Sequence, residues 1–287
     1  MKLVTVEVNN QERLAVIRDQ QYVLLSEDLP TNMRTLVGCP DSKSSLDKLA
    51  GSGFVDCQSV ELADVALKSP LDQHVQKVIC IGKNYADHAR EMGGEPPSIP
   101  VVFSKFASAI IGPDEEIRLP AISSAVDFEA ELVVVIGTGG KHIAVENAMD
   151  HVFGYCCGND ISARDWQKGK PGGQWLLGKT FDTFAPIGPY IATKDEIADL
   201  QNLDIRLRLN GNVMQESNTG QLIFPVDQLI AHISRFVALA PGDLIFTGTP
   251  PGVGAARKPP VFLKPGDQLE VEIEGLGALR NTVVADS

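Results

Sequence analysis

Residues 127–136 read DFEAELVVVI, a run that closes on Gly137. β-Branched residues dominate its second half, so it reads as a strand. Side chains alternate across a strand, which places Glu129, Glu131, Val133 and Val135 on one face. Phe128, Ala130, Leu132, Val134 and Ile136 fall on the other. Beyond Glu131 both faces are apolar, the pattern of a strand covered on both sides. Two anions about 6–7 Å apart at the mouth of such a strand repel each other in low dielectric. The pattern calls for positive charge at that point.

The chain has 287 residues, enough for one large domain or two unequal ones. Its formal net charge is −12, and no Lys/Arg run reaches five residues. Nucleic acid and anionic membrane are therefore not expected partners. No apolar run approaches the roughly 18 residues that cross a bilayer. The stretch MKLVTVEVNN (1–10) alternates polar and apolar residues and reads as a strand rather than a secretion signal. Five cysteines (Cys39, Cys57, Cys80, Cys156, Cys157) with no C-x-x-C spacing suggest neither a disulfide framework nor a zinc site. Reduced thiols and a cytoplasmic location are expected.

Residues 1–70 differ in character from the rest. KLVTVEV, RLAVIRD and QYVLLS read as short strands, followed by a helical stretch near 41–50. The expectation is a small β-rich N-terminal domain over 1–70 and a larger unit over 71–287. In the larger unit, strands are expected at 77–82, 100–104, 128–136, 152–159, 186–192, 204–210, 243–247 and 268–274. Helical periods appear only near 86–92, 144–151, 162–168 and 225–239. Many short strands, few helices and 26 glycines predict a β-rich α+β roll or barrel-like sandwich rather than a βαβ sheet.

Asp160 ends the apolar run VFGYCCGND (152–160) before a helix-like segment, where alone it reads equally well as a helix cap. Beside Glu129 and Glu131 it completes an all-oxygen triad. Hard divalent cations such as Mg²⁺ or Mn²⁺ favour that donor set; the bland alternative for E-x-E is a solvated strand end. In GKNYADHAREM (82–92), His88 and Glu91 are spaced i, i+3 and meet on one helix face. A carboxylate beside an imidazole prepares a general base, although without context a surface ion pair fits as well. The Gly/Pro-rich GGEPPSIP that follows resembles a lid. Lys179, among bulky apolar neighbours, is either snorkelling or buried with an anionic partner. TGTPPGVG (247–254) lacks the ending of a Walker motif, but its amides and the Thr249 hydroxyl suit a carboxylate.

GKNYADHAREM, FSKFASAIIGP, DFEAELVVVIG, GNDISARDWQ, WLLGKTFDTFAPIGP and TGTPPGVG occur here in the order seen in the fumarylacetoacetate hydrolase family. The chain resembles that family over about residues 77–284, most closely the branch labelled domain-containing protein 2 or ureidoglycolate lyase. The resemblance implies a β-rich roll with mixed sheets, paired as a homodimer. It implies Mg²⁺ or Mn²⁺ on Glu129, Glu131 and Asp160, a His88–Glu91 dyad, and Lys179 as the active-site lysine. Arg164, Gln167 and Thr249 match residues around metal and substrate, and Lys105 is expected to line the pocket. Asn84 stands near the place where the larger founding hydrolases have an additional Asp ligand, so three protein carboxylates are expected.

The chemistry implied is metal-dependent work on a small anionic 2-oxo acid, which chelates the ion through carboxylate and ketone and is thereby primed for enolisation. The leading expectation is hydrolytic C–C cleavage of a 2,4-dioxo acid, either an acylpyruvate or a 2,4-dioxo-3-deoxy sugar acid. Water would be activated by His88–Glu91, and Lys179 would stabilise the developing oxyanion. Oxaloacetate decarboxylation, oxo-acid tautomerisation and ureidoglycolate cleavage are alternatives on the same site. A non-catalytic binding protein on this scaffold is the alternative of another class.

Overall fold

The DFEAELVVVI segment forms a strand over Ala130–Ile136, and all seven of its residues are buried. In this computed structural model, which describes residues 1–18, 21–26, 28–55, 57–61 and 65–286, that strand lies inside a twelve-stranded sheet. It pairs antiparallel with Val152–Asn159 on one side and with Leu244–Phe246 on the other. Having a partner on each edge and cover on each face explains the unbroken apolar run, because no side is left for polar residues. The sheet continues from Leu244–Phe246 to Val78–Gly82 in parallel and ends on the edge strand Val101–Lys105. A five-stranded sheet built around Asp204–Leu209 and Gln268–Ile273 forms a second layer. The expected β-rich α+β architecture is observed.

The N-terminal segment extends the large sheet. Lys2–Val8 pairs antiparallel with Ala185–Thr193 through Lys2↔Ala192 and Leu3↔Ile191. Leu3, Val4, Leu14 and Met33 belong to the same hydrophobic core as Val133 and Phe246. The division expected near residue 70 therefore runs across a continuous sheet and a continuous core.

The eight strands expected beyond residue 77 are all present, within one or two residues at their ends. The helical period at 144–151 is a 3-10 helix over Val145–His151, and that at 225–239 is an α-helix over Val226–Ser234. The helix Trp175–Lys179 was not expected, since it follows the Gly/Pro-rich stretch 169–173. The strand Asn212–Asn218 was also missed, because its mostly polar, largely unburied side chains lack the apolar alternation of a covered strand.

Phe246 is fully buried on the strand next to Ala130–Ile136. Phe246→Ala is expected to destabilise the protein by about 3–5 kcal/mol, the cost of removing a buried phenyl ring and leaving a cavity. Chemical unfolding of wild type and variant measures it, and a loss under 1 kcal/mol would contradict the packing described.

Candidate active site

The antiparallel register assembles the carboxylates. Ala130 faces Asn159 and Glu131 faces Gly158, and the Asp160 amide donates to the Glu129 carbonyl at 2.9 Å. Glu129 and Asp160 are therefore cross-strand neighbours on one face, with Glu131 two residues further along the same face. Carboxylate oxygens of the three residues lie within 4.8 Å of one another, and all three side chains are buried.

The positive charge called for by the sequence comes from three further elements. Lys179 Nζ donates to Glu129 Oε2 at 2.6 Å and to Asp160 Oδ2 at 2.8 Å. Lys179 reaches this point because its short helix packs tightly on Arg164–Gln167: a Cβ on Gly178 would stand 2.6 Å from the Gln167 backbone nitrogen. Arg164 donates to Glu129 Oε1 at 2.6 Å, Asp127 Oδ2 at 2.8 Å and Gln167 Oε1 at 3.0 Å. Lys105 lies 2.6 Å from Asp160 Oδ1 and donates to the carbonyls of Ile161, Lys179 and Phe184. It is 3% exposed and supports Asp160 from beneath rather than lining the cavity.

These contacts split the titration of the two glutamates. Burial alone would raise the Glu129 pKa, but Lys179 and Arg164 outweigh it and hold the carboxyl well below its usual range. Glu131 has no such pair: burial first, then Asp160 and Glu129, push its carboxyl well above the usual range, with Lys179 and the Gly248 amide pulling the other way. Burial also lowers Lys105, despite the nearby Asp160.

The TGTPPGVG loop does present its amides to carboxylates, and they are the protein's own. Gly248 donates to Glu131 at 2.7 Å, Gly252 to both Glu91 oxygens at 2.9 and 3.0 Å, and Gly254 and Ala255 to Asp127 at 2.7 and 3.0 Å. Gly248 has φ +104°, a region that favours glycine, and a Cβ there would meet Asn84 Cβ at 2.7 Å. Asn84 donates to the Phe224 and Thr247 carbonyls and accepts from the Phe224 amide. Its amide group is committed to holding this loop end, so the carboxylate cluster has three members here.

His88 lines the same cavity as Glu129, Glu131, Arg164, Gln167, Lys179 and Thr249. Its Nδ1 lies 3.4 Å from Glu91 Oε2, a long contact. An ionised carboxylate only accepts, so the pairing favours the proton on Nδ1 and leaves Nε2 as the basic nitrogen. Asp127 and Gln215 were not singled out from sequence. Asp127 stands two residues before Glu129, so the strand alternation already pointed to it. Gln215 holds Thr249 Oγ1 at 2.8 Å and accepts from the Ala130 amide at 2.9 Å, and its surrounding NVMQESN carries no such signal.

Three buried carboxylates with converging oxygens match the donors preferred by Mg²⁺ and Mn²⁺. Asp160 Oδ1 lies 2.6 Å from the Lys105 ammonium, so a bound ion would share that carboxylate with the lysine. The residues present thus fit a divalent ion held by Glu129, Glu131 and Asp160.

The family described as "Fumarylacetoacetate (FAA) hydrolase C-terminal" matches residues 77–284. The chain belongs to the fumarylacetoacetate hydrolase family. It is 51% identical over 261 residues to "Oxaloacetate tautomerase fahd2, mitochondrial" of Xenopus laevis, covering 89% of this chain and 79% of that protein. The match to the Bos taurus relative "Oxaloacetate tautomerase FAHD2A, mitochondrial" is 59% over 208 residues, 72% of this chain, and spans 66% of that protein's length. Among solved structures, the maleylpyruvate hydrolase of Sphingobium sp. SYK-6, "in complex with manganese (II) ion and pyruvate", superposes with a TM-score of 0.83 at 29% identity over the whole of both chains. The expectation of a cytoplasmic location is corrected by these comparisons, because the similar bovine, frog and human proteins are named as mitochondrial. Reduced thiols suit either compartment.

Replacing a metal-facing carboxylate is expected to cost more than the ten- to hundredfold typical of an outer-shell partner. Wild-type protein should bind one Mn²⁺ per chain in a calorimetric titration, and Glu131→Gln should weaken it by more than about 100-fold with the fold retained. Equal affinity in the two proteins would remove the triad as the ion's site.

Proposed function

We propose that this protein is a divalent-metal-dependent enzyme that interconverts the keto and enol forms of an oxaloacetate-type 2-oxo acid. The observation carrying the proposal is that His88 lines one cavity with Glu129 and Glu131, whose carboxylates cluster with that of the buried Asp160. A base and an electron-withdrawing centre on either side of a small substrate are what proton transfer next to a ketone requires. The names of the similar frog and bovine proteins support tautomerisation over the C–C hydrolysis placed first on sequence grounds.

A divalent ion, when bound by Glu129, Glu131 and Asp160, supplies Lewis-acid polarisation of the 2-oxo group and charge neutralisation of its carboxylate. The protein's own groups do the rest. His88 Nε2 takes the proton from C3 of the keto form and delivers it to the 2-oxo oxygen to give the enol, both transfers reversing in the other direction. Glu91, anchored on the Gly252 amide, holds the imidazole tautomer. Lys179 and Arg164 keep Glu129 ionised throughout, so the inner cluster does not compete for the proton in transit. Thr249, fixed by Gln215, offers its hydroxyl to a substrate oxygen. Tautomerisation needs no nucleophilic water and no space for a leaving fragment.

Hydrolytic cleavage of an acylpyruvate is the second reading, favoured by the likeness to the maleylpyruvate hydrolase and by a base that would serve water equally well. The enol of oxaloacetate absorbs in the ultraviolet, and its decay in the presence of Mg²⁺ or Mn²⁺ reports the first reaction. Pyruvate release from a panel of 2,4-dioxo acids reports the second. Metal-dependent acceleration abolished by EDTA is expected, with His88→Ala slower by about 100-fold or more, the usual loss on removing a general base. Pyruvate release without tautomerisation would replace the first reading by the second. Unchanged rates in His88→Ala would remove the histidine from the mechanism.

A further inference from the structure

Four buried carboxylates (Asp127, Glu129, Glu131 and Asp160) face three buried cations (Lys105, Arg164 and Lys179) in this site. A divalent ion leaves that inner set with one net positive charge, which matches one substrate carboxylate. A 2-oxo dicarboxylic acid carries two. The second needs further positive charge, placed at the cavity but outside the inner cluster.

Two lysines meet that condition. Lys83 and Lys168 both line the cavity that holds His88 and the two glutamates. In a chain of net charge −12, neither makes an ion pair or a side-chain hydrogen bond among the described residues. Glu129, the carboxylate whose charge acts on Lys168, is occupied by Arg164 and Lys179. Lys83 follows Gly82 at the end of the Val78–Gly82 strand with φ +58°, an uncommon conformation for a residue with a side chain. Its amine lies beside Gly94, just past the helix that carries His88. Lys168 caps the Arg164–Gln167 helix, its backbone N–H on the Arg164 carbonyl, and its side chain reaches solvent. Burial lowers the Lys168 pKa, and Arg164, Lys83 and Lys179 lower it further, with Glu129 opposing. Both lysines border the one cavity, so an anion bound there meets positive charge from two elements.

We infer that Lys83 and Lys168 form a rim subsite for the distal carboxylate of a 2-oxo dicarboxylic acid and set the preference for dicarboxylates over monocarboxylates. The inference rests on the 2-oxo-acid reading of this same site. Both groups are selectivity determinants, since neither touches the triad.

The test compares oxaloacetate with its 4-methyl ester, which differ in the distal charge. Calorimetric titration of Mn²⁺-loaded wild type, Lys83→Gln, Lys168→Gln and the double variant gives the affinity ratio of the two ligands. Wild type should favour oxaloacetate by about tenfold, the scale of one charge-assisted hydrogen bond. The double variant should fall below about threefold with ester affinity little changed, and each single variant between. A double variant that keeps the wild-type ratio, or a wild type with no preference, overturns the subsite. Preference lost in the double variant while wild type accelerates no tautomerisation would uphold the subsite and overturn the tautomerase reading. Absence of binding by either ligand overturns both.

Discussion

Repulsion among Glu129, Glu131 and Asp160 is the constraint to which the rest of the site is fitted. Three carboxylates with oxygens inside 4.8 Å and almost no solvent contact cannot all stay ionised without counter-charge. Lys179, Arg164 and Lys105 supply it, each from a different element, so the helices Arg164–Gln167 and Trp175–Lys179 and the edge strand Val101–Lys105 converge on one point. Buried ion pairs of this kind contribute little net stability, because desolvation offsets most of the Coulomb gain. Apolar residues of the same volume would hold the sheet at least as well. Their presence at the mouth of the central strand is explained by chemistry rather than by folding.

The glycine-rich loop 247–254 solves a second part of the same problem. Lys179 bridges Glu129 and Asp160 by hydrogen bonds, whereas among the described residues Glu131 accepts a hydrogen bond only from the Gly248 amide and keeps a raised pKa. An amide dipole stabilises a carboxylate without filling the space beside it, as a lysine would. Of the three carboxylates, Glu131 is thus the one whose ionisation depends most on an incoming cation. The same loop fixes Glu91 through Gly252 and Asp127 through Gly254 and Ala255. One backbone segment therefore sets the positions of Glu131, the histidine's partner and the arginine's partner.

Most of the fold was legible because its strands follow simple rules. Val78–Gly82, Ala130–Ile136 and Val152–Asn159 are apolar runs ended by glycine or by a polar strand end, and each falls where the period places it. The triad was legible for the same reason, since E-x-E on a strand fixes a shared face. What stayed hidden depends on tertiary register. That Asp160 lies opposite Glu129 follows from the Ala130↔Asn159 pairing, which no local pattern encodes. Asn84, Gln215 and Lys105 act through contacts at sequence separations of 34 to 163 residues. Continuity of residues 1–70 with the large sheet was hidden likewise, because the joint is a pairing between Lys2–Val8 and Ala185–Thr193.

The walls of the cavity differ in how firmly they are held. The triad side is the firmer one, since Glu131 lies on a paired strand of the central sheet and Glu129 and Asp160 directly adjoin its two paired strands. The wall made by Phe103, Trp175 and Met92 is held less firmly. Phe103 and Trp175 meet edge to face at 5.4 Å, Phe103 is on the edge strand, and Trp175 follows Gly172 and Gly173, both in the left-handed region. His88 sits on a six-residue helix tied to the body through Glu91 and the Asn84 clamp. An aromatic edge contact is worth about 1 kcal/mol, against several for a buried ion pair left unpartnered. Opening on the aromatic side therefore costs least, and it leaves the charge arrangement that the chemistry requires undisturbed.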